Sequence, residues 1–530
     1  MINALIQSSR LLHASIVLAR HGALDLALPD ELPGPARAGI RLFRALFARR
    51  AGKEGKAAEG ERLTAALTTL GPSYIKLGQF LATRPDIVGQ DRARALSQLQ
   101  DRMEPFSREE AQEALEAAFG DRARTLFGTL GEPVAAASIA QVHKARIEDD
   151  KSKRREVAVK ILRPAIERRF ARDLEAFYFV ARLADRYHPP SRRLRPVEVV
   201  DTLAQTVALE MDLRMEAAAI AEVAENSEGD EGYRVPKIDW ERSARRVLTV
   251  EWIDGIQLSD IDGLKKAGHD LKRLARLLIQ TFLRQAMRDG FFHADMHPGN
   301  LFVDADGNLV AVDFGITGRI GPKEQHFLAE ILWGFIQRDY KRIAEVHVEA
   351  GYVPRKHRME TFAQALRAIG EPLMGRTAEQ ISMARVLTQL FQVTEMFDMA
   401  TRPELLLLQK TMVVVEGVAR TLDPELDMWT TAEPVVREWI ETNLGAEGRL
   451  AEAAEGAASF GRFFSQVPGL LARAEHTAEA LAEMADAGIR LDDATVEAVA
   501  RARARRERSG RVALWIGAIA LAVIAVTLIM

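Results

Sequence analysis

Residues 293–315 read HADMHPGNLFVDADGNLVAVDFG, and this stretch decides the fold. Asp295 and Asn300 stand five positions apart, and the triplet Asp313-Phe314-Gly315 follows thirteen residues later, behind the apolar run LVAV. One carboxylate can orient or deprotonate an attacking hydroxyl, while an amide oxygen and a second carboxylate can hold Mg²⁺ against phosphates. We therefore predict a site for phosphoryl chemistry, with Asp295 as its catalytic carboxylate and Asn300 and Asp313 as its metal ligands.

A lysine motif precedes this stretch. Val157–Lys160, VAVK, ends a β-prone run, and alternation along a strand turns Lys160 away from the face that Val159 occupies. Lys160 could therefore reach a phosphate, although a lone lysine on a strand is usually a solvated surface residue. VAVK, H-x-D-x-x-x-x-N and DFG, in this order, form the signature of a protein kinase. Each motif is weak by itself, but the ordered set is a strong signal.

The segment HADMH also permits a different interpretation. His293, Asp295 and His297 alternate, and such a pattern on a strand can ligate a transition metal. The following Pro-Gly-Asn indicates a turn, however, and the sequence has no second histidine cluster to complete a hydrolytic metal site. We regard metal hydrolysis as the lesser alternative.

The chain departs from ordinary kinases upstream of Lys160. Where a glycine-rich loop would let the backbone approach phosphates, the sequence has PVAAASIAQV at 133–142. Alanines there would stiffen the loop and place methyl groups at the nucleotide, and Ser138 could still donate a hydroxyl. An alanine run is otherwise commonly helix or packing, and only its position between strand signals gives it a function.

The order of patterns along the chain predicts an α+β fold. Two β-prone runs at 138–147 and 156–162 flank a charged turn and indicate a hairpin, and 233–240 with 245–253 indicates another strand pair. Helical patterns cover 61–130, broken at Gly71-Pro72 and Arg84-Pro85, as well as 164–225, 268–292 and 322–508, and the D-G-N turn separates two short strands within 300–315. We expect a small β-containing lobe followed by a larger helical lobe.

Composition excludes several classes of protein. The 530 residues are 48% hydrophobic and 28% charged, which is normal for a globular chain longer than one ordinary core. The net charge of −3 argues against a nucleic-acid partner. The absence of cysteine excludes disulfides, thiolate metal sites and cysteine nucleophiles. No flavin-type G-x-G-x-x-G follows a strand, so a direct monooxygenase is disfavoured.

The C-terminal residues predict a membrane anchor. Val512–Met530 contains 19 residues without a charge, and a helix of that length spans about 28 Å, close to the hydrocarbon thickness of a bilayer. A buried core helix is the alternative, although it would be unusual at a chain end. The preceding Arg501–Arg511 carries six arginines, which the positive-inside rule keeps in the cytoplasm.

Further segments make the resemblance specific. AAASIAQVH (135–143) before VAVKILRP (157–164), followed by HADMHPGN and DFG, resembles the UbiB/ADCK family of atypical kinases. The likeness extends to GPSYIKLGQFLATR (71–84) with the family's KxGQ motif, LSQLQDRMEP (96–105), an ExD motif at 210–212 and RPELLLLQKTMVVVEGVARTLDPEL (402–426). It covers roughly residues 60–430, and the KxGQ and alanine-rich segments distinguish this family from ordinary protein kinases.

The resemblance implies a domain arrangement. It implies an atypical protein-kinase-like bilobal fold with a helical N-terminal extension, to which the apolar run at 512–530 adds a C-terminal transmembrane helix. We expect an extension at 1–130, a small lobe at 131–255, a large lobe at 256–430, a helical region at 431–511 and the transmembrane helix at 512–530.

The resemblance also implies roles for individual residues. ATP and Mg²⁺ would be the cofactors, Lys160 would contact the phosphates and be held by Glu216, and Asp295, Asn300 and Asp313 would act as described above. The remaining nucleotide-binding residues would be Val134, Ala135, Ala136, Ala137, Ser138, Ile139, Ala140, Gln141 and Val142, with Glu251 and Ile253 at the hinge beside adenine. The KxGQ segment, with Lys76 and Gln79, would cover the acceptor side, and Lys76 would reach Glu210 and Asp212; a surface salt bridge of little energetic value is the alternative.

Three functions remain open at this point. The resemblance favours an ATP-binding ATPase of ubiquinone (coenzyme Q) biosynthesis that supports ring hydroxylation of a polyprenylphenol precursor. A kinase with a defined small-molecule or protein acceptor is the second, and a scaffold for other ubiquinone-pathway enzymes is the third. In each case we expect the lipid bilayer as a partner, at the bacterial inner membrane, with the catalytic region in the cytoplasm.

Overall fold

The computed structural model describes the larger part of the chain. The described residues are 2–23, 56–82, 84–96, 99, 103–148, 154–187, 192, 194–373, 389, 392–393, 396–399 and 403–444. All but the last three of them belong to one compact unit, Met1–Glu441. The predicted membrane anchor at 512–530 and most of the predicted helical region before it lie outside these residues.

Helices form most of the described structure. They are α1 Ile2–Arg20, α2 Lys56–Leu70, α3 Pro72–Ala82, α4 Pro85–Val88, α5 Gln90–Leu96, α6 Arg108–Phe119, α7 Ala123–Phe127, α8 Ile166–Tyr187, α9 Pro196–Glu210, α10 Leu213–Asn226, α11 Ile261–Lys266, α12 Leu271–Arg284, α13 Pro322–Gln337, α14 Tyr340–Glu349, α15 Met359–Gly370, α16 Pro403–Leu422 and α17 Met428–Leu444. None of these helices is both long enough and apolar enough to cross a membrane.

Ten strands complete the architecture of the described ranges. They are β1 Thr129–Ala136, β2 Ala140–Glu148, β3 Arg154–Leu162, β4 Tyr233–Arg234, β5 Val247–Glu251, β6 Gly255–Gln257, β7 Phe291–His293, β8 Leu301–Asp304, β9 Leu309–Ala311 and β10 Thr317–Arg319. They form a four-stranded sheet β1-β2-β3-β5, a second sheet β4-β9-β8-β6 and the pair β10-β7.

The N-terminal extension breaks where the sequence predicts. Helix α2 ends at Leu70 and α3 begins at Pro72, while α3 ends at Ala82 and α4 begins at Pro85, since proline is tolerated in a first helical turn but not further inside. Gly78 of the KxGQ motif allows close packing, because a Cβ there would lie 2.4 Å from Leu99 Cδ1 and 2.8 Å from Leu67 Cδ1.

The small lobe is built on an antiparallel sheet. The predicted hairpin is confirmed, since β2 and β3 pair along their length from Ala140↔Leu162 to Glu148↔Arg154. Val157, Val159 and Ile161 point into one core with residues of α6 and α7, and the alternate positions face the other way. Strand β1 was not predicted; it begins where a helix was expected and includes residues 133–136 of the alanine run.

The second predicted strand pair forms only in part. Strand β4 runs parallel to β9 in the large lobe, and β5 pairs with β3 in the small lobe. Only the single bridge Ile238↔Val250 joins the two runs. Pro236 lacks an N–H and interrupts the first run after two residues. Beyond it the chain turns back on β5, since the Asp239 N–H donates to the Thr249 carbonyl at 2.9 Å and the Glu251 N–H donates to the Lys237 carbonyl at 2.8 Å.

The large lobe contains the strands around the D-G-N turn, and that prediction is confirmed. Strands β8 and β9 pair antiparallel, and Asp304 Oδ1 accepts the N–H groups of Asp306 and Asn308 at 3.1 and 2.9 Å. Gly307 takes φ +79°, a left-handed conformation that glycine adopts without strain. The helices α12 to α17 lie in the region that the sequence predicted to be helical.

Candidate active site

Strand β3 delivers Lys160 to the cleft side of the small lobe. Lys160 lies beside Val142 of β2 and Leu248 of β5 in the sheet register, whereas Val159 is fully buried in the core on the opposite face. This is the orientation that strand alternation predicts. The side chain is therefore free of the small-lobe core and points toward the groups that approach from α10 and the large lobe.

Two carboxylates meet the ammonium of Lys160. Its Nζ lies 2.8 Å from Glu216 Oε1 on α10 and 2.8 Å from Asp313 Oδ1 of the DFG triplet. The structure thus brings together residues that are 56 and 153 positions apart along the chain. The Glu216 side chain is only 7% exposed, but that of Asp313 is 49% exposed, so Asp313 is the carboxylate that a metal ion could reach.

The cluster perturbs the titration of all three groups. Burial raises the pKa of Glu216 to about 7, even though the Lys160 ammonium favours its ionised form. Burial disfavours the charge on Lys160, but Asp313 and Glu216 outweigh it and raise the lysine pKa. Partial burial acts to raise the pKa of Asp313, but Lys160 dominates and holds it well below the usual range. An additional cation or phosphate would therefore enter a strongly coupled site.

The DFG triplet adopts a constrained backbone. Asp313 has φ +60°, in the left-handed region that Asp tolerates better than most residues. Phe314 is buried, and its ring lies 4.6 Å from that of His293, centroid to centroid. Phe314 thereby anchors the triplet, and Asp313 stays on the cleft side beside Lys160.

The catalytic loop is held by its own backbone and by two histidines. His293 Nδ1 accepts the N–H of Asp295 at 3.1 Å, and Asn300 Nδ2 donates to the Asp295 carbonyl at 3.2 Å. His297 Nδ1 accepts the N–H of Gly299 at 3.0 Å, and its Nε2 lies 3.7 Å from Asp295 Oδ2. The Asp295 carboxylate therefore projects from a fixed loop. It is one-third exposed, so the hydroxyl group of an acceptor could reach it.

The donor set of this site fits Mg²⁺ better than a transition metal. His293 is fully buried; its Nε2 donates to the Val312 carbonyl at 3.2 Å while Nδ1 accepts a backbone N–H, so both ring nitrogens are engaged. Among the described residues, no group of three or more His, Asp or Glu side chains could hold a metal ion. Asp313 and the Asn300 amide oxygen are hard ligands, and Mg²⁺ usually binds one or two such groups together with substrate phosphates.

The alanine run is a strand–turn–strand unit and not a free loop. Strand β1 ends at Ala136, Ala137 N–H donates to the Ala140 carbonyl at 2.8 Å, and β2 begins at Ala140. We call residues 135–140 the alanine turn. Val134 and Ala135 are exposed, Ala136, Ala137 and Val142 are half-buried, and Ser138, Ile139, Ala140 and Gln141 are buried. The Gln141 side chain hydrogen-bonds Phe106, so this residue could reach a nucleotide only through its backbone.

An arginine joins the two lobes at the predicted hinge. Arg234 Nη1 lies 3.1 Å from Glu251 Oε1, and Arg234 Nε donates to Asp304 Oδ2 at 2.9 Å. Glu251 also accepts the Lys237 N–H at 3.2 Å, so its carboxylate is used within the protein. Ile253 is buried at the end of the hinge. The hinge backbone therefore remains the part that could contact adenine.

The KxGQ helix, α3, contacts α8 and α9. Lys76 Nζ lies 2.7 Å from Glu210 Oε2, with both side chains largely shielded from solvent. The Tyr74 ring meets Phe177 of α8 edge-on at 5.2 Å. Asp212 instead caps α10, accepting the Arg214 N–H and pairing with its guanidinium at 2.6 Å. Gln79 is half-buried on α3.

Two supporting residues escaped the sequence analysis. Thr411 of α16 is buried, and its hydroxyl lies 3.0 Å from the Ala294 carbonyl, inside the catalytic loop. Gln285, in a π-helical turn after α12, accepts the His293 N–H at 3.1 Å and donates to Tyr233 Oη at 3.0 Å. A π-turn often marks a functional site, but the sequence contains no spacing that could have revealed either contact.

Comparison with known protein families agrees with this geometry. Residues 98–347 match the ABC1 atypical kinase-like domain, and residues 366–427 match the UbiB helical domain. A solved complex of Rv3197 with erythromycin, from Mycobacterium tuberculosis, is similar with a TM-score of 0.50 and 23% identity. It covers 76% of this chain and 98% of that chain, and this likeness bears on the fold alone.

Relatives of known name match over most of the chain. "Probable protein kinase UbiB" of Marinobacter nauticus is 40% identical over 445 residues, 83% of this chain and 80% of the relative. The protein of the same name from Cellvibrio japonicus is 37% identical over 522 residues, 97% of this chain and 92% of the relative. The one from Xanthomonas axonopodis pv. citri is 41% identical over 410 residues. The chain therefore belongs to the UbiB family of atypical kinase-like proteins.

Proposed function

We propose that this protein binds and hydrolyses Mg-ATP in its interlobe cleft and thereby supports ubiquinone biosynthesis at the bacterial inner membrane. The observation that carries the proposal is the meeting of Lys160, Glu216 and Asp313, each 2.8 Å from its partner, beside the loop of Asp295 and Asn300. Lysine held by a helix carboxylate is the arrangement that positions nucleotide phosphates in kinases.

Each residue of the site would have a separate role in such a reaction. Lys160 would contact the phosphates, while Asp313 and Asn300 would hold Mg²⁺, which neutralises phosphate charge when bound. Asp295 would orient the hydroxyl of water or of an acceptor, since its carboxylate is one-third exposed on a fixed loop. Val142 and the alanine turn would form the upper wall of the nucleotide site.

The segment after DFG argues against a protein acceptor. Only six residues, 316–321, separate Gly315 from α13, and three of them form β10, paired with β7. Protein kinases carry their activation loop, with its regulatory phosphorylation site, at this point. The chain has no room for such a loop here, so we expect no efficient phosphorylation of generic proteins such as casein.

The connection to ubiquinone comes from the family. The resemblance to this family implies support for ring hydroxylation of polyprenylphenol precursors, whose apolar tails would keep them in the bilayer, and we propose that role for this chain. Val512–Met530 would anchor it, the arginines of 501–511 would keep the catalytic lobes on the cytoplasmic face, and other pathway enzymes would be its neighbours. Deleting residues 512–530 should release the protein from membranes and lower ubiquinone while nucleotide binding persists.

Genetic complementation tests the proposal as a whole. In a strain that lacks the protein, the wild-type chain should restore ubiquinone and remove the accumulated prenylphenol. Asp313→Asn should fail at equal expression, and Asp306→Asn, the same change at an exposed turn of the same lobe, should succeed. Full restoration by Asp313→Asn would favour a scaffold that does not need the metal site.

A further inference from the structure

A short segment of the chain lies along the alanine turn. Residues 103–106, Met-Glu-Pro-Phe, connect the N-terminal extension to α6, and we call this segment the strap. The Met103 N–H donates to the Ala136 carbonyl at 3.1 Å, which joins the strap to the last residue of β1. A capping box between Ser107 and Glu110 fixes the far end of the strap to the start of α6.

One guanidinium joins the strap to the turn. Arg163 Nε donates to the Ala137 carbonyl at 2.9 Å, and its Nη2 donates to the Glu104 carbonyl at 2.8 Å. The guanidinium carbon also lies 5.6 Å from the centroid of the Phe106 ring. Arg163 follows Lys160 by three residues, directly after β3 ends at Leu162. The same strand therefore places both the phosphate-facing lysine and the arginine that binds the turn.

A side-chain amide provides the second connection. Gln141 Oε1 accepts the Phe106 N–H at 2.9 Å, and Gln141 Nε2 donates to the Phe106 carbonyl at 3.1 Å, as a neighbouring strand would. Gln141 Nε2 also lies 2.7 Å from His143 Nε2, and His143 Nδ1 lies 2.8 Å from the Gly131 carbonyl. A neutral His143 with its proton on Nδ1 satisfies every one of these contacts and fixes the orientation of the amide.

Because of these contacts, the alanine turn has less conformational freedom than a glycine-rich loop would have. The six residues of the alanine turn contain no glycine and none with positive φ. The turn is closed by its own Ala137–Ala140 hydrogen bond and held from outside by the strap. A loop held in one conformation loses less entropy when a ligand binds under it. Its position should therefore influence nucleotide affinity directly.

We propose that the strap positions the alanine turn over the nucleotide, and that Arg163 is the positioning residue that joins the two. The expected effect on nucleotide affinity rests on the proposed function, whereas the contacts between the strap and the turn do not. Because the strap continues from the extension that contains Lys76, displacement of the extension would also displace the turn. The KxGQ segment and the nucleotide site would then be coupled through the strap.

Arginine-to-lysine substitutions test the proposal in the full-length protein. Arg163→Lys keeps the charge but loses the fork that bridges two carbonyls. Arg242→Lys is the matched control, since Arg242 bridges the Leu126 and Glu148 carbonyls at 2.8 and 3.2 Å elsewhere in the small lobe. Gln141→Met, which keeps the volume and removes the amide contacts, is the second test variant.

Two readouts are compared among these variants. Hydrogen exchange of residues 135–140 should accelerate about tenfold for each stabilising hydrogen bond lost in Arg163→Lys and Gln141→Met, and stay at the wild-type rate in Arg242→Lys. Affinities for Mg-ATP and Mg-ADP, measured by calorimetry, should weaken severalfold in the two test variants only. A general loss of stability would appear in all three variants.

The inference and the proposed function fail in different ways. The inference would be overturned if Arg163→Lys and Arg242→Lys showed the same hydrogen exchange of residues 135–140 and the same nucleotide affinities. If the wild-type protein bound no Mg-nucleotide, the proposed function would fail. The exchange comparison would then still decide whether the strap holds the turn.

Discussion

The catalytic loop and the alanine turn are stabilised differently. Within 293–315, the loop is fixed by contacts between near neighbours, such as Asp295 N–H to His293 and Asn300 to the Asp295 carbonyl. The turn is fixed by groups far along the chain, because Arg163 reaches Glu104 over 59 positions and Gln141 reaches Phe106 over 35. The loop is held mainly by its own residues, with Thr411 and Gln285 as supports from outside, whereas the turn is held by the strap.

This difference suggests different roles for the two segments: the loop provides the reactive groups, and the turn adjusts the nucleotide site. The loop and DFG supply the carboxylates and the amide that phosphoryl chemistry needs, and hydrogen bonds within the loop are its main support. The turn contributes few reactive groups, and its position can change whenever the strap moves. We therefore expect substitutions in the loop to remove function and substitutions around the turn to adjust it.

The largest effect should come from Asp313. Asp313→Asn removes the half-exposed carboxylate that would hold Mg²⁺ and leaves Lys160 with Glu216 alone. Affinity for Mg-ATP should fall by about a hundredfold or more, measured by calorimetry, because a charged metal ligand is lost. Asp306→Asn serves as control and should bind as the wild-type protein does. If both variants bound Mg-ATP with equal affinity, the DFG region would not have the larger role in nucleotide binding that we assign to it.

Glu216 should make stability depend on pH. Its pKa is raised to about 7 by burial, so its contribution to the free energy of unfolding is fully present below the ordinary glutamate pKa and is lost as pH rises through 7. Between pH 5 and pH 8, the wild-type protein should lose up to about 3 kcal/mol relative to Glu216→Gln. Urea unfolding of both proteins at several pH values measures this difference. Parallel pH profiles would contradict the burial of an ionisable Glu216.

A smaller effect should follow from the support of the catalytic loop. Thr411→Val keeps the shape of the side chain but removes the hydroxyl that lies 3.0 Å from the Ala294 carbonyl. Stability should fall by about 1–2 kcal/mol, and ATP hydrolysis by severalfold, because a buried carbonyl loses a donor. Thr421→Val on the same helix removes an exposed hydroxyl and should change neither. Identical behaviour of the two variants would show that α16 does not support the loop.

The smallest effect should come from the turn's own alanines. Ala136→Gly or Ala137→Gly adds backbone freedom at positions whose φ does not require glycine. The ratio of ATP to ADP affinity should shift by severalfold at most, because the strap contacts use backbone groups that remain. Ala118→Gly on α6 is the control. A loss as large as that of Asp313→Asn would mean that the alanine methyls themselves hold the nucleotide.

The contrast also explains what the sequence could predict. Lys160, Asp295, Asn300 and Asp313 were identified because strand alternation and short spacings encode their positions, and the hairpin and the D-G-N strands followed from turn chemistry. Contacts between distant segments were beyond prediction from residues alone. A resemblance was needed to propose Glu216 and Lys76 with Glu210, and nothing pointed to Arg163, Thr411 or Gln285.

Asp212 and Gln141 were predicted to have functional roles, but their side chains have other partners in the structure. The resemblance paired Asp212 with Lys76 and assigned Gln141 to nucleotide binding. In the structure Asp212 caps α10, and the Gln141 side chain hydrogen-bonds Phe106. Polar side chains have several satisfactory partners in a folded protein, and the sequence does not say which partner lies nearest. Burial and hydrogen-bond geometry, which only the fold provides, make that choice.

Direct titration of the full-length wild-type protein with ATP tests the central claim, with Mg²⁺ in one experiment and with EDTA in the other. The site of Lys160, Asn300 and Asp313 predicts saturable one-to-one binding with Mg²⁺ that weakens at least about tenfold without it, since Asp313 and the phosphates share the metal. No binding with Mg²⁺, or equal binding in both experiments, would contradict the account.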